Sequence, residues 1–491
     1  MSSGPAASLP TSVEELRALV VELLEAHADL QKVIAVKDHQ IVCLERRIAE
    51  LERRLGADSS TSSRPPSSDS PYHKPVRRSS RKSSGRRPGK QPGDPGSTMP
   101  LVEDPDEVIT GEPGCCGGCG ADLAGAPVVA VQRRQVLEVI LPTAPRVTEY
   151  RIVTRACVVC GATATAAPPT YPLARVQYGP TVLARAAELV CAHYLPVARA
   201  ARLMRSIVGV PVSVGFMASV RGRAARMLEQ TFLPRVRQLL RQAGVLHVDE
   251  TPARAAGGLG YVHVAATTYL TALHTGGRSK ADIDAGDVLP GYTGTIVRDG
   301  YAGHTHLIDA HHAWCGAHLL RDLRAVHDAD PDGQLWAAAL ATTLTDATTT
   351  AATARAAGQT ILDPQTLATI RNHYRGAIAK AITDNSARAG PLAIDALALA
   401  RRFRDHEDTI LRFVVDLAVP FTNNQAERDV RPVKIQQRTS GGAWRTLTGL
   451  ADFAIVQSYL STATKWGLDT LDVLTQLFTG QPWLPPAPEP C

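Results

Sequence analysis

Three acidic residues stand where acids are seldom found without a purpose. Asp249 closes the apolar stretch GVLHVDET, and Asp299 closes a second one, TGTIVRDGY. A charge at the end of a core strand is unusual unless it does chemistry or caps the next element. A third acid, Glu427, falls at the start of a helical stretch in NNQAERDVRPVK. Brought together, three carboxylates can hold two Mg²⁺ (or Mn²⁺) ions about 3.5–4 Å apart, one activating a hydroxyl or water and one stabilising the oxygen that leaves phosphorus. Mg²⁺ suits that task because it is hard, octahedral and content with few protein ligands. Plainer readings exist for each acid. Asn424-x-x-Glu427 fits a helix capping box with Asn424 as N-cap, Asp249 and Asp299 fit strand-end turns, and Glu250 is a neighbouring candidate for the third acid.

Four of the nine cysteines fall in two knuckles, Cys116-Gly-Gly-Cys119-Gly120 and Cys157-Val-Val-Cys160-Gly161. Each such turn points two thiolates at one ion, and Zn²⁺ takes four in a tetrahedron. The stretches between them, VVAVQRRQVLEVIL and RVTEYRIVTRA, are rich in β-formers, so residues 112–165 read as a zinc ribbon. Cys115 could stand in for Cys116, and the cysteines could instead be small buried hydrophobes. An odd cysteine count with paired CxxC motifs suits a reducing cytosol better than a disulfide framework.

The elements that must position these groups follow from periodicity and composition. A chain of 491 residues is too long for one compact core, and the pattern predicts a multidomain α+β protein. Over 12–56, Leu16, Leu23, Leu30, Leu44 and Leu51 recur at one heptad position, with Val20, Ile34, Ile41, Ile48 and Leu55 at the other. Lys37 and His27 are the two polar exceptions. β-branched residues at a with Leu at d favour a two-stranded coiled coil, hence a homodimer or higher oligomer; a single amphipathic helix packed on its own protein is the alternative. Residues 57–111 read as a basic disordered linker. Within 57–90, nine Lys/Arg, among them Arg77 and Arg78, oppose Asp58 and Asp69, a net +7 out of +6 for the whole chain, so the remainder sums to about −1. A flexible tract of that charge suits a polyanion such as double-stranded DNA, or is a plain solvated spacer.

Residues 170–242 predict three helical segments broken at Pro196 and Gly209–Pro211, helix-turn-helix-like, with Arg199, Arg202, Arg205, Arg221 and Arg223 available for phosphates. Strand-like stretches begin at 243, and an Ala/Thr/Leu-rich helical insertion covers about 330–418. The 243–480 region ends before a Pro-rich tail, 481–491. No apolar run approaches the roughly 18 residues of a membrane span, and the N-terminus lacks the basic-then-apolar order of a secretory signal. The expected setting is the cytoplasm, at the nucleoid, with no membrane partner.

The segments HVDET, RDGYAGH, WCGAHLLRDL and TNNQAERDVRPVKIQQRTSGG, in that order, resemble the insertion-sequence-sixty-six family of bacterial transposases. The coiled coil, the Ser/Pro/Arg/Lys linker, the CxxCG segment and the helix-turn-helix-like segment stand in that family's order too. The resemblance implies a ribonuclease-H-like α/β catalytic domain of the DDE type, interrupted by a helical insertion before the last acid. It makes Asp249, Asp299 and Glu427 the metal-binding carboxylates, and the 127 residues between Asp299 and Glu427 leave room for the insertion. Small companion proteins of the element are possible partners.

Cys315 and His318 occupy a CxxH motif followed by Arg321. Those two are half of a metal site or a helix face near the substrate; without a second pair nearby, a substrate-side or structural role is favoured. Arg428, Arg431 and Lys434 recur every three residues, as a stripe for phosphates or a solvated face. The sequence departs from many members after that helix, where QQRTSGGAWRTLTG replaces an aromatic-rich stretch. Two other functions compete: a DNA-binding regulator with an inactive transposase-derived domain, and another ribonuclease-H-like nuclease such as a resolvase. Retention of all three acids favours the transposase.

Overall fold

The computed structural model describes residues 12–56, 93, 101–136, 145–156, 158–160, 162–166 and 177–487. It is an α+β protein with a central mixed sheet.

The chain opens with α1 (Val13–Gly56), a single helix of 44 residues. At about 1.5 Å per residue it is roughly 66 Å long. Ser12 and Glu15 start it by satisfying each other's backbone N–H, each at 3.2 Å. Of its heptad side chains, Leu16, Val20, Leu23, Leu30, Ile34, Ile41, Leu44, Ile48 and Leu51 are exposed. The basic tract 57–90, with Arg77 and Arg78, lies outside the described residues.

Strands expected within 128–156 form only in part. A short antiparallel pair, β1 (Thr154–Ala156) and β2 (Thr163–Thr165), flanks the second cysteine knuckle, while 128–136 carry no regular structure. Val128, Val129 and Val136 are at least three-quarters exposed. β-Propensity reflects packing on a covered pleated face, and without such a face it does not make a strand.

From Pro180 onward the elements share packed cores. α2 (Pro180–Ala187) runs into a π-turn at 188–192, then α3 (Val197–Ser206) and α4 (Val214–Arg241) follow. The breaks fall at Pro196 and Gly209–Pro211, as the sequence predicts. The sheet comprises β3 (Val245–Ala255), β4 (Gly258–Ala266), β5 (Thr271–Gly276), β6 (Thr295–Arg298) and β7 (His311–Trp314), with α5 (Lys280–Asp284) after β5. Its order is β5-β4-β3-β6-β7: the first three strands are antiparallel neighbours, and β6 and β7 are parallel.

One face of the sheet buries Leu246, Val248 and Ile296 against Leu228, Phe232 and Leu239 of α4. Val456, Tyr459 and Leu460 of α13 (Leu447–Lys465) and Leu474 of α14 (Thr470–Phe478) complete that core. Helices α2 to α4 therefore share one continuous core with the sheet. On the other face lie α6 (Gly316–Ala329), the helical insertion α7 (Leu335–Ala356), α8 (Pro364–Ser386), α9 (Pro391–Asp405), α10 (Glu407–Ile410) and α11 (Arg412–Val415), and then α12 (Asn424–Thr439). In α7, seven threonines from Thr342 to Thr353 return their hydroxyls to the carbonyl four residues back, which gives each hydroxyl a partner without interrupting the backbone ladder. Trp336, Gln334 and Asn385 form a buried hydrogen-bonded chain that fastens α7 to α8. Among the described residues, no helix is long and apolar enough to cross a membrane.

Candidate active site

Strand register does the first part of the positioning. β3 pairs with β6 as Val245↔Thr295, Leu246↔Ile296 and His247↔Val297. The same offset sets Asp249 opposite Asp299, two residues past the last pair. Side chains alternate along a strand. Leu246 and Val248 enter the α4/α13 core, so Asp249 points to the other face, where Ala253 and Ala255 pack on Ala426, Val430 and Val433 of α12. Glu427 sits on that helix. Glu250 alternates away: it pairs across β4 with His263, and its Oε1 accepts from Arg278 at 2.5 Å. Glu250 is therefore a poor substitute for a third acid on the α12 face.

Asp249 Oδ1 accepts from the Glu250 N–H, and Asp299 Oδ1 from the Tyr301 N–H, each at 2.9 Å. Burial holds the Asp249 carboxyl well above its ordinary range, and the negative charges of Asp299, Glu250 and Glu427 push the same way. A buried acid pressed by neighbouring carboxylates is a donor set that fits hard divalent cations. The three acids do not close on a single point. Among the described residues, the one group of three metal-capable side chains with donor atoms within 4.8 Å of one another is Cys315, His318 and Glu427.

The start of α12 is tied to β3 by a residue that sequence reading overlooked. Asn423, not Asn424, is the N-cap, and it makes no side-chain cap bond. Its Nδ2 instead donates to the Val248 carbonyl at 2.7 Å, and its Oδ1 meets His247 Nδ1 at 3.0 Å. Its backbone N–H donates to Cys315 Sγ at 3.2 Å. The capping box expected from Asn424-x-x-Glu427 does not form, which leaves the Glu427 carboxylate without that role. The doubled asparagine was the available signal, but either member could cap, and only the tertiary contact distinguishes them.

Further along α12, Asp429 is buried against Lys465 of α13 at 2.7 Å and accepts from Thr271 at 3.2 Å. Lys465 also donates to the Thr267 and Leu270 carbonyls at 2.8 Å. The expected phosphate stripe divides. Arg428 and Arg431 are exposed, Arg428 donating to Gln425 at 2.6 Å. Lys434 is half-buried and donates to the Pro252 carbonyl at 2.5 Å, so it is engaged in joining α12 to β3. Arg321 is half-buried on α6. Arg199, Arg202 and Arg205 are exposed, but Arg221 turns inward to the Val190 carbonyl and Gln436 and lies over Trp444, so it is not available for phosphates.

The first cysteine knuckle is formed. Gly120 donates to the Cys116 carbonyl at 2.8 Å with φ +72°, a left-handed conformation that favours glycine. Backbone hydrogen bonds from Cys119 and Gly118 hold the Cys116 thiol below its ordinary value. Cys115, Cys119 and Cys160 are exposed and free, and Cys157 lies outside the described residues.

Residues 175–451 match the family described as Transposase IS66 family. Residues 3–100 match a Family of unknown function (DUF6444). No curated protein matches the chain.

Proposed function

The chain belongs to the IS66 family of transposases, and on that premise we propose that it binds the ends of its mobile element and carries out metal-dependent strand cleavage and strand transfer. The observation that carries this reading is the β3–β6 register, which sets Asp249 beside Asp299 on the face covered by α12 and its Glu427. We take the sheet and its helical insertion to be the ribonuclease-H-like catalytic domain.

Asp249, Asp299 and Glu427 would hold Mg²⁺ or Mn²⁺, which when bound activates the attacking hydroxyl and stabilises the leaving oxygen. The chain's own residues set the geometry. Asn423 anchors the start of the Glu427 helix to the backbone one residue before Asp249. Arg298, with hydrogen bonds to the Asp299 and Tyr301 carbonyls at 2.9 Å, fixes the turn that carries Asp299. Arg428 and Arg431 stand exposed beside Glu427 and suit phosphates; they position the duplex without reading its sequence. Arg199, Arg202 and Arg205 on α3 offer a second basic face. The exposed heptad seam of α1 suits a homodimer, the cysteine knuckles suit one Zn²⁺, and the basic tract with Arg77 and Arg78 suits non-specific DNA contact.

The test is Mg²⁺-dependent cleavage of terminal-repeat DNA, with circular dichroism to confirm folding. Asp249→Asn, Asp299→Asn and Glu427→Gln keep shape but remove charge, and each should lose cleavage by at least about 100-fold, the scale of losing one transition-state stabiliser. A folded parent that binds the ends without cleaving them would favour the regulator instead. Full activity in Glu427→Gln would remove Glu427 from the metal set.

A further inference from the structure

Glu427 has neighbours that a magnesium site does not need. Cys315 is fully buried at the N-cap position of α6, where the His318 N–H donates to its backbone carbonyl at 3.1 Å. The Asn423 N–H donates to the Cys315 sulfur at 3.2 Å. His318 lies one turn along α6, and its buried Nδ1 has no hydrogen-bond partner. Donor atoms of Cys315, His318 and Glu427 all fall within 4.8 Å of one another. Gly316 makes this approach possible: a Cβ there would overlap the Phe421 ring, and its N–H instead donates to the Phe421 carbonyl at 2.7 Å.

We propose that Cys315, His318 and Glu427 form a binding site for a thiophilic divalent cation, Zn²⁺, and that its occupation inhibits the enzyme by withdrawing Glu427 from the Mg²⁺ set. The second half rests on the assignment of Glu427 under Proposed function; the first does not. One thiolate, one imidazole and one carboxylate make a three-ligand zinc set with a fourth position open to water. Tetrahedral zinc separates such donors by about 3.5 Å, so closing the site takes side-chain shifts of about an ångström. Burial favours the thiol over the thiolate, and the Asn423 N–H aimed at the sulfur opposes it only in part, so the cation itself must displace the proton. Binding therefore expels the thiol proton to solvent, and the thiolate and carboxylate together neutralise the ion. Hard Mg²⁺ has no use for the sulfur or the imidazole, and Zn²⁺ prefers them. The two ions thus compete for one carboxylate rather than for one cavity.

The full-length protein, parent and variant, is titrated with ZnCl₂ after chelation, and the bound metal is counted. Cys315→Ser and His318→Ala should each bind about one Zn²⁺ fewer than the parent, and Co²⁺ should give a thiolate charge-transfer band that the Cys315→Ser difference spectrum lacks. Zinc held by the knuckles is common to all three proteins and cancels. At ten times its Kd, Zn²⁺ should lower Mg²⁺-dependent cleavage of terminal-repeat DNA roughly 10-fold in the parent and far less in Cys315→Ser. Equal zinc counts in the parent and a folded variant would overturn the site; if Cys315→Ser does not fold, His318→Ala at its half-exposed position decides. Unequal counts with equal inhibition would overturn the competition. Asp249→Asn separates the two readings: it should keep the parent's zinc count whether or not it cleaves, and active Asp249→Asn would refute the carboxylate assignment while leaving the zinc site standing.

Discussion

Replacing Asn423 by alanine should loosen the joint between the Glu427 helix and the Asp249 strand. The Gly244 carbonyl accepts from Thr295 of β6, so by the two-residue period the Leu246 and Val248 carbonyls also face β6. The β3–β6 pairing stops at His247↔Val297, and Asn423 Nδ2 supplies the donor that Val248 then lacks. The substitution removes two side-chain hydrogen bonds, to Val248 and His247, each worth about 1 kcal/mol net. It also leaves a buried carbonyl without a partner, about 1–3 kcal/mol more. The total is about 3–5 kcal/mol, which in a domain of this size lowers Tm by roughly 6–15 °C. Asn423→Asp keeps an acceptor for His247 but gives Val248 no donor, so it should recover only part of the loss. Thermal unfolding followed by circular dichroism measures this, with Mg²⁺-dependent cleavage assayed below the variant's Tm. If Asn423→Ala unfolds within a degree or two of the parent, the joint is not held by this side chain and the reasoning fails.

Three further outcomes are expected. Asp429→Ala strands the Lys465 ammonium in the interior and should destabilise by about 3–5 kcal/mol in denaturant titration, whereas Asp429→Ala with Lys465→Met should recover much of the loss. Burial lowers His274 from 6.5 to about 4, and the stacked His263 ring, 4.8 Å away, adds to that. The folded value lies below the unfolded one, so stability is fully present above pH 6.5 and is lost as pH falls toward 4, by up to about 3 kcal/mol; denaturation at pH 7 and pH 4.5 should show that slope reduced in His274→Gln. Deleting residues 12–56 should reduce the mass seen by light scattering to that of one chain, and an unchanged oligomer would reject α1 as the dimer seam.

Much of this protein is written in local pattern. The α1 helix, the breaks at Pro196 and Gly209–Pro211 and the strand that stops just before Asp299 follow from period and punctuation, because the residues that decide them are neighbours in the chain. The strand end expected at Asp249 is not there: β3 runs on to Ala255 because β4 pairs with it along that length, so Asp249 stands mid-strand. Propensity misled where it had no face to pack on, as in 128–136. What the sequence could not settle depends on residues far apart coming together. Asn423 is N-cap because Val248, 175 positions away, needs a donor, and Lys434 leaves the phosphate stripe because the Pro252 carbonyl lies within reach. Arg221 is lost to solvent because Val190, Gln436 and Trp444 surround it. Cys315-x-x-His318 found its third donor on α12, more than a hundred residues later, through a contact only a glycine permits. Types and spacings fix which chemistry is available; the packing of α6 and α12 on one sheet decides which groups meet, since a hydrogen bond or a metal site is set by distance in space and not along the chain.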